Sequence, residues 1–196
     1  MAAEPVVLAL GDSLTAGYGL APEEGLVPQL TRWLADHGHP AHVINAGGSG
    51  DTTAGGRARL DWSLEAQVQA VIVALGGNDL LRGIAPEEAR ANLDAILASV
   101  TAKELPVLLV GLAAPGNYGA EYQREFDAIW PELSATYDAV LLPNLLAPIM
   151  ALPPEERAKR ELMQGDNIHP APAGVALVVE ALGPKVLELL AKLPGG

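Results

Sequence analysis

Five short runs, "VVLAL" at 6–10, "AHVINA" at 41–46, "AVIVAL" at 70–75, "PVLLVGL" at 106–112 and "AVLL" at 139–142, are largely continuous in apolar residues. A strand with one face in water alternates apolar and polar residues, so these runs predict strands buried on both faces. Between them lie segments of helical spacing. From about Pro22 to His37 the residues Leu26, Leu30, Trp33 and Leu34 share one face, and Gly38 and Pro40 stop the helix. "TAGGRARLDWSLEAQ" reads as helical from about Thr53, and Pro86 opens a helix to about Glu104 with Leu93, Ile96, Leu97 and Val100 on one side. "EYQREFDAIWPELSATY" predicts a helix broken or kinked near Pro131, and "PAGVALVVEALGPKVLELLAKL" a final helix bent at Pro184. Pro143 to Gln164 reads as irregular and partly helical. Strand and helix alternating five times predict an α/β fold, a parallel sheet covered on both faces. In such sheets the ligand site lies beyond the carboxyl ends of the strands. The 196 residues fit one domain spanning 1–196.

Composition removes several functions. The 24 acidic against 12 basic residues give a formal charge of -12, which repels nucleic acid and anionic lipid. No apolar run reaches the roughly 18 residues of a membrane span, so stable membrane insertion is not expected. The absence of cysteine excludes disulfides, thiolate metal sites and a thiol nucleophile. The start "MAAEPVV" has neither a basic region nor an apolar core of a signal peptide. Its small residues fit the remnant of a removed leader, which points to a periplasmic or secreted mature form.

Three polar turns follow strand ends on the predicted ligand edge: "GDSL" with Ser13, "NAGGSGD" with Gly50, and "GGND" with Asn78. A serine hydroxyl needs a base to become a nucleophile. His37, His39 and His42 crowd into "HGHPAH" between a helix end and a strand start, on the opposite edge. Their spacing would suit a metal, yet no acidic cluster accompanies them, and they read as a solvated turn. His169 differs. In "GDNIHPAPAG" Asp166 stands three residues before it, close enough to hold imidazole Nδ1 and leave Nε2 for the cleft. Each motif alone has an ordinary explanation: a helix cap, a flexible loop, an Asx turn, a capping aspartate. The glycine-rich loop also lacks the lysine of a phosphate-binding loop.

Together, "GDSLTAGYG", "NAGGSGDTTAGG", "GGNDLLRG" and "DNIHPAPAG" resemble the four sequence blocks of the SGNH (GDSL) hydrolase superfamily. The likeness is greatest to its bacterial arylesterases and acyl-CoA thioesterase I/lysophospholipases, and it runs across nearly the whole chain. It implies a three-layer sandwich around a five-stranded parallel sheet of flavodoxin-like order 2-1-3-4-5. It implies Ser13 as nucleophile, His169 as general base and Asp166 as its orienting acid. It also implies an oxyanion hole made by the N–H groups of Ser13 and Gly50 and the amide of Asn78, with Asp12 bracing the turn.

Three positions depart from the pattern. Asn167 stands where relatives usually carry glycine; asparagine tolerates the left-handed backbone best, so the turn should survive. Gly48 replaces a branched apolar residue, which should loosen the Gly50 turn. "LPNLLAPIM" lacks an aromatic pair, which leaves the shape of the acyl pocket open.

The expected reaction is hydrolysis of carboxylic esters, aryl or short-to-medium acyl, with thioesters and lysophospholipids as further candidates. An acyl-serine intermediate requires no metal or organic cofactor. Leu81, Ile84, Leu112, Pro115, Tyr118, Leu145 and Ile149 are the candidates for an apolar substrate groove. The expected partner is a small-molecule ester, and the chain is expected to be a monomer. A carbohydrate deacetylase with the same machinery and a non-catalytic flavodoxin-like binding module are the alternatives. The first is disfavoured by few aromatics, one Phe, three Trp and four Tyr. The second gives no reason for Asp-x-x-His near the end of the chain.

Overall fold

The computed structural model describes residues 4–194. The small residues Ala2 and Ala3, read as the remnant of a removed leader, lie outside the described residues. Five parallel strands, β1 (Val6–Gly11), β2 (His42–Gly47), β3 (Ala70–Ala74), β4 (Val107–Val110) and β5 (Val140–Leu142), form one sheet in the order β2-β1-β3-β4-β5. The central strand β1 pairs Leu8 with Ile44 on one side and with Val71 on the other. Its side chains alternate between two cores, as the pleat demands. Val7 and Ala9 join one cluster with Leu30 and Val178; Leu8 and Leu10 join the other with Leu93 and Trp130. Burial on both faces is why the run shows no polar alternation. Truncating a side chain such as Leu8, fully buried, to alanine costs about 2–5 kcal/mol.

Nine helices are present among the described residues. Helix α1 (Ser13–Ala16) follows β1, α2 (Leu26–Asp36) precedes β2, and α3 (Thr53–Ser63) leads to β3. Helices α4 (Gly77–Arg82) and α5 (Pro86–Thr101) lie between β3 and β4, and α6 (Ala120–Tyr137) lies between β4 and β5. The chain closes with α7 (Ala147–Met150), α8 (Pro154–Lys159) and α9 (Pro172–Leu190). Helices α2 and α9 cover one face of the sheet; α3, α5 and α6 cover the other.

Several sequence expectations need correction. The helix expected from Pro22 is two pieces, a 3-10 turn at Pro22–Glu24 and then α2, because the extended backbone of Gly25 (φ -68°, ψ 170°) separates them. Helix α3 stops at Ser63 rather than continuing through Gln67, with Ser63 Oγ donating to the Arg59 carbonyl. Helix α6 is not broken at Pro131 but continues through it, and α9 is one helix through Pro184, as expected of it. A proline removes one helical hydrogen bond, but Trp130 and Leu133, and likewise Leu182 and Val186, are buried on either side and hold the flanking turns to the sheet. The short helices α1, α4, α7 and α8 carry too few residues for a periodic pattern.

Gly47 ends β2 against the backbone of α1, where an added Cβ would collide with the amide nitrogen of Ala16. Neither side is a flexible side chain, so one must move. Gly47→Ala is expected to cost about 1–3 kcal/mol in urea unfolding and to displace α1; unchanged stability would show that α1 yields freely.

Candidate active site

The carboxyl edge of the sheet gathers four turns. After β1 the carboxylate of Asp12, itself 2% exposed, caps α1 by accepting the N–H of Leu14 at 3.0 Å. Gly17, with φ 83°, ends that helix by donating to the Ser13 carbonyl at 3.1 Å. A single turn of helix between two such stops fixes Ser13 at the rim.

After β2 the chain turns through Gly48 to Asp51, the Asp51 N–H reaching the Gly48 carbonyl at 3.0 Å. Gly50 adopts φ 85°, a backbone that favours glycine. The expected loosening at Gly48 is not found. A Cβ there would collide with the Asp51 carboxylate, so glycine lets that carboxylate fold inward. Asp51 then pairs with Arg59 Nε at 2.6 Å, and the same guanidinium donates to the Gly11 carbonyl at 2.7 Å. The loop is thereby tied to the end of β1.

After β3, Gly76 (φ 117°) opens α4, which carries Asn78 and Asp79 in its first turn. Asp79 is buried and accepts both the N–H and the hydroxyl of Thr53, at 2.8 and 2.6 Å. Asn78 spends one amide hydrogen on the Asp51 carbonyl at 2.9 Å, which leaves the other for a ligand. Arg82, at the far end of α4, donates to the Gly50 carbonyl at 2.7 Å. Two side chains of one helix thus hold the carbonyls of residues 50 and 51.

The fourth turn precedes α9. Asp166 Oδ1 accepts the N–H groups of Ile168 and His169 at 2.9 and 3.0 Å, and Oδ2 accepts His169 Nδ1 at 2.6 Å. Asn167 takes φ 56°, the left-handed conformation expected of it. With Nδ1 donating to the carboxylate, Nε2 carries the lone pair and lies 2.9 Å from Ser13 Oγ, 156 positions away in sequence.

These contacts set the charges. The hydrogen bond from the His169 side chain, followed by the two backbone N–H bonds, holds Asp166 at a pKa of about 2. Its ionised form is favoured, so its stabilising contribution is complete above the ordinary 3.8 and lost as pH falls toward 2. Asp12 moves the other way. Burial raises it from 3.8 to about 6, against the opposing Leu14 N–H bond. A raised carboxylate pKa stabilises the fold only while protonated, so stability is lost as pH rises from about 4 to about 6. Asp12→Asn, which keeps a capping oxygen, is expected to gain on the wild type across that window by up to about 3 kcal/mol. Urea unfolding at pH 4 and pH 7.5 measures it; a pH-independent difference would refute it.

Beside Ser13 and His169 opens a cleft of about 420 Å³, whose lining includes three of the candidate groove residues, Leu81, Leu112 and Pro115, and also Leu80, Leu146, Met150 and Ile168. The other expected groove residues lie elsewhere. Ile149 is fully buried and packs toward Gly174 of α9, because the single turn of α7 directs Ile149 inward and Met150 outward. Leu145 is 3% exposed, its N–H bonded to the Gly111 carbonyl beyond β4, and it lines a smaller cavity of about 20 Å³ behind Ser13 and His169. Ile84 contributes a carbonyl to the Tyr122 hydroxyl at 2.8 Å. Tyr118 stands half-exposed against Gly83, outside the cleft lining. The histidines of "HGHPAH" form no metal centre among the described residues. His37 stacks on Trp33 and its Nδ1 bonds the Trp33 carbonyl at 2.7 Å, while His39 and His42 are exposed at the opposite edge. No helix among the described residues is long and apolar enough to cross a membrane.

Comparison with known proteins agrees with this geometry. A model of the GDSL-like Lipase/Acylhydrolase family matches residues 9–177. Esterase TesA of Pseudomonas aeruginosa is 37% identical over 190 residues, 96% of this chain and 91% of the relative. Thioesterase 1/protease 1/lysophospholipase L1 of Escherichia coli is 38% identical over 171 residues, 86% of this chain and 77% of the relative. The crystal structure of AlinE4, an SGNH-hydrolase family esterase, is 46% identical, with a TM-score of 0.76 over 97% of this chain and 98% of that one. The strand order, the four turns and these matches agree: the chain belongs to the GDSL-like lipase/acylhydrolase family.

Proposed function

We propose that the protein is a serine esterase that cleaves carboxylic esters through an acyl-serine intermediate, with thioesters and lysophospholipids as further substrates. The observation that carries this reading is the 2.9 Å contact between Ser13 Oγ and His169 Nε2, with Asp166 behind the imidazole. Ser13 Oγ attacks the ester carbonyl as its proton passes to His169 Nε2. The carbonyl oxygen becomes negative and turns toward the N–H groups of Ser13 and Gly50 and the free amide hydrogen of Asn78. Such a donor contributes about 3 kcal/mol to the transition state. His169 then gives its proton to the leaving oxygen or sulfur. Water, activated by the same imidazole, releases the acid and restores the serine.

Asp166 remains ionised throughout, holding the imidazole in the tautomer that accepts from Ser13. Asp12, which caps α1, takes no part in proton transfer. The apolar cleft accommodates the acyl chain or the aryl group, and Leu81, Leu112, Pro115 and Ile168 form its walls.

A chain-length series of p-nitrophenyl esters, beside acyl-CoA and lysophospholipid, tests the substrate class. Labelling of Ser13 by a fluorophosphonate, located by mass spectrometry, tests the nucleophile. No turnover of any ester, with no label on Ser13, would overturn the reading. Asn78→Ala is expected to lower kcat about 10²–10³-fold, with KM little changed. A fall confined to KM would show that Asn78 binds substrate rather than the transition state.

A further inference from the structure

Apart from the bond between their own side chains, Ser13 and His169 are joined by a second route. Gln164 lies at its centre. Its backbone N–H donates to the His169 carbonyl at 2.8 Å, and its side-chain Nε2 donates to the carbonyls of Pro170 at 3.0 Å and Tyr18 at 2.8 Å. The Tyr18 N–H in turn reaches the Ser13 carbonyl at 3.1 Å. The circuit from Ser13 through Tyr18, Gln164 and His169 back to Ser13 Oγ is closed, and Asp166 has no part in it. Gly19, with φ 75°, makes room for it, since a Cβ there would collide with Gln164 Oε1. The Tyr18 ring lies over the His169 imidazole, with centroids 4.7 Å apart and planes tilted by 38°, although the residue is 54% exposed.

We propose that Gln164 and Tyr18 form a clasp that sets the His169 imidazole against the Ser13 hydroxyl. Both are positioning residues; neither touches the reacting carbonyl. Gln164 joins the nucleophile turn to the imidazole turn through backbone carbonyls. Tyr18 limits the swing of the ring, and its face meets the positive charge that the imidazole acquires during attack. Misplacement of a catalytic group by about 1 Å costs about 10²-fold in rate. This inference rests on the esterase reading above.

The test measures kcat and KM for p-nitrophenyl butyrate, the rate of phosphonylation of Ser13 by a fluorophosphonate, and the melting temperature. The proteins are the wild type, Gln164→Met, Gln164→Glu, Tyr18→Leu and Tyr18→Phe. Both Gln164 variants keep the side-chain length and lose the amide donors. They are expected to lower kcat about 10–100-fold with KM within about twofold, and phosphonylation is expected to slow in parallel. Tyr18→Leu is expected to lower kcat about 3–10-fold, and Tyr18→Phe, which keeps the ring, to restore it.

A folded Gln164→Met variant with wild-type kcat overturns the clasp, as does a loss confined to KM. If the Gln164 variants do not fold, the exposed Tyr18 decides: unchanged kcat in Tyr18→Leu overturns the proposal. A wild type inactive on every ester instead overturns the esterase reading, whereas an active wild type with unaffected variants overturns the clasp alone.

Discussion

Ser13→Ala is expected to lower kcat on p-nitrophenyl esters by about 10⁴–10⁶-fold while leaving the protein folded. Removing the hydroxyl deletes the atom that forms the acyl bond, and no cysteine or second serine takes its place within 2.9 Å of His169 Nε2 among the described residues. The residual rate over water comes from the cleft and the oxyanion donors, which the substitution leaves in place. Stability should change little. The side chain makes one hydrogen bond, worth about 1 kcal/mol, and the turn around it is held by Asp12 and Gly17. Stopped-flow or steady-state hydrolysis beside a urea melt separates the two effects. Turnover within tenfold of wild type would mean that Ser13 is not the nucleophile, and retained binding without any wild-type turnover would favour a binding module.

Asp166→Asn is expected to lower kcat about 10³–10⁴-fold, a loss out of proportion to the small change in shape. An asparagine oxygen could still accept the N–H groups of Ile168 and His169, so the turn should persist. The amide nitrogen would then face imidazole Nδ1, at the 2.6 Å contact the carboxylate now makes. It donates where the carboxylate accepted, so the proton moves to Nε2 and points at Ser13. The base is thereby occupied. The same substitution should remove the stability lost by the wild type as pH falls from about 4 toward 2, because the depressed carboxylate is gone. Activity on a neutral ester and acid-unfolding curves check the two expectations. An active Asp166→Asn enzyme would show that the imidazole is oriented without the carboxylate.

The alternation of strand and helix was legible because β1, β3, β4 and β5 read as nearly unbroken apolar runs, buried on both faces. The edge strand β2 instead exposes His42 and Asn45 and buries only Val43, and the strand order came from the family resemblance. Ser13 was legible as a motif in the turn that ends β1, and Asp166 and His169 as a motif in the turn before α9, where a spacing of three sets carboxylate beside imidazole. The groove was harder to read. Ile149 and Met150 are neighbours of similar hydropathy in a helix of four residues, and only packing on α9 decides that the second faces the cleft. The direction of Leu145 likewise follows from a contact distant in sequence, its N–H bond to the Gly111 carbonyl, which places it in the smaller cavity beside Ser13 and His169. Gly48 looked like a weakness because its function depends on Arg59, a residue on another element. Gln164 lay in a stretch with no periodicity, and its three carbonyl partners come from both ends of the chain. Sequence offered no signal for it beyond proximity to the "DNIHP" block.

The 156 positions between Ser13 and its base have a consequence for biosynthesis. A ribosome makes the hydroxyl early and the imidazole only after every strand of the sheet has been translated. Until then the emerging polypeptide carries an inert alcohol, unable to attack esters around it. Hydrolytic competence therefore arises as one of the last events of maturation. A product cut short before His169 should be a silent protein rather than a careless catalyst.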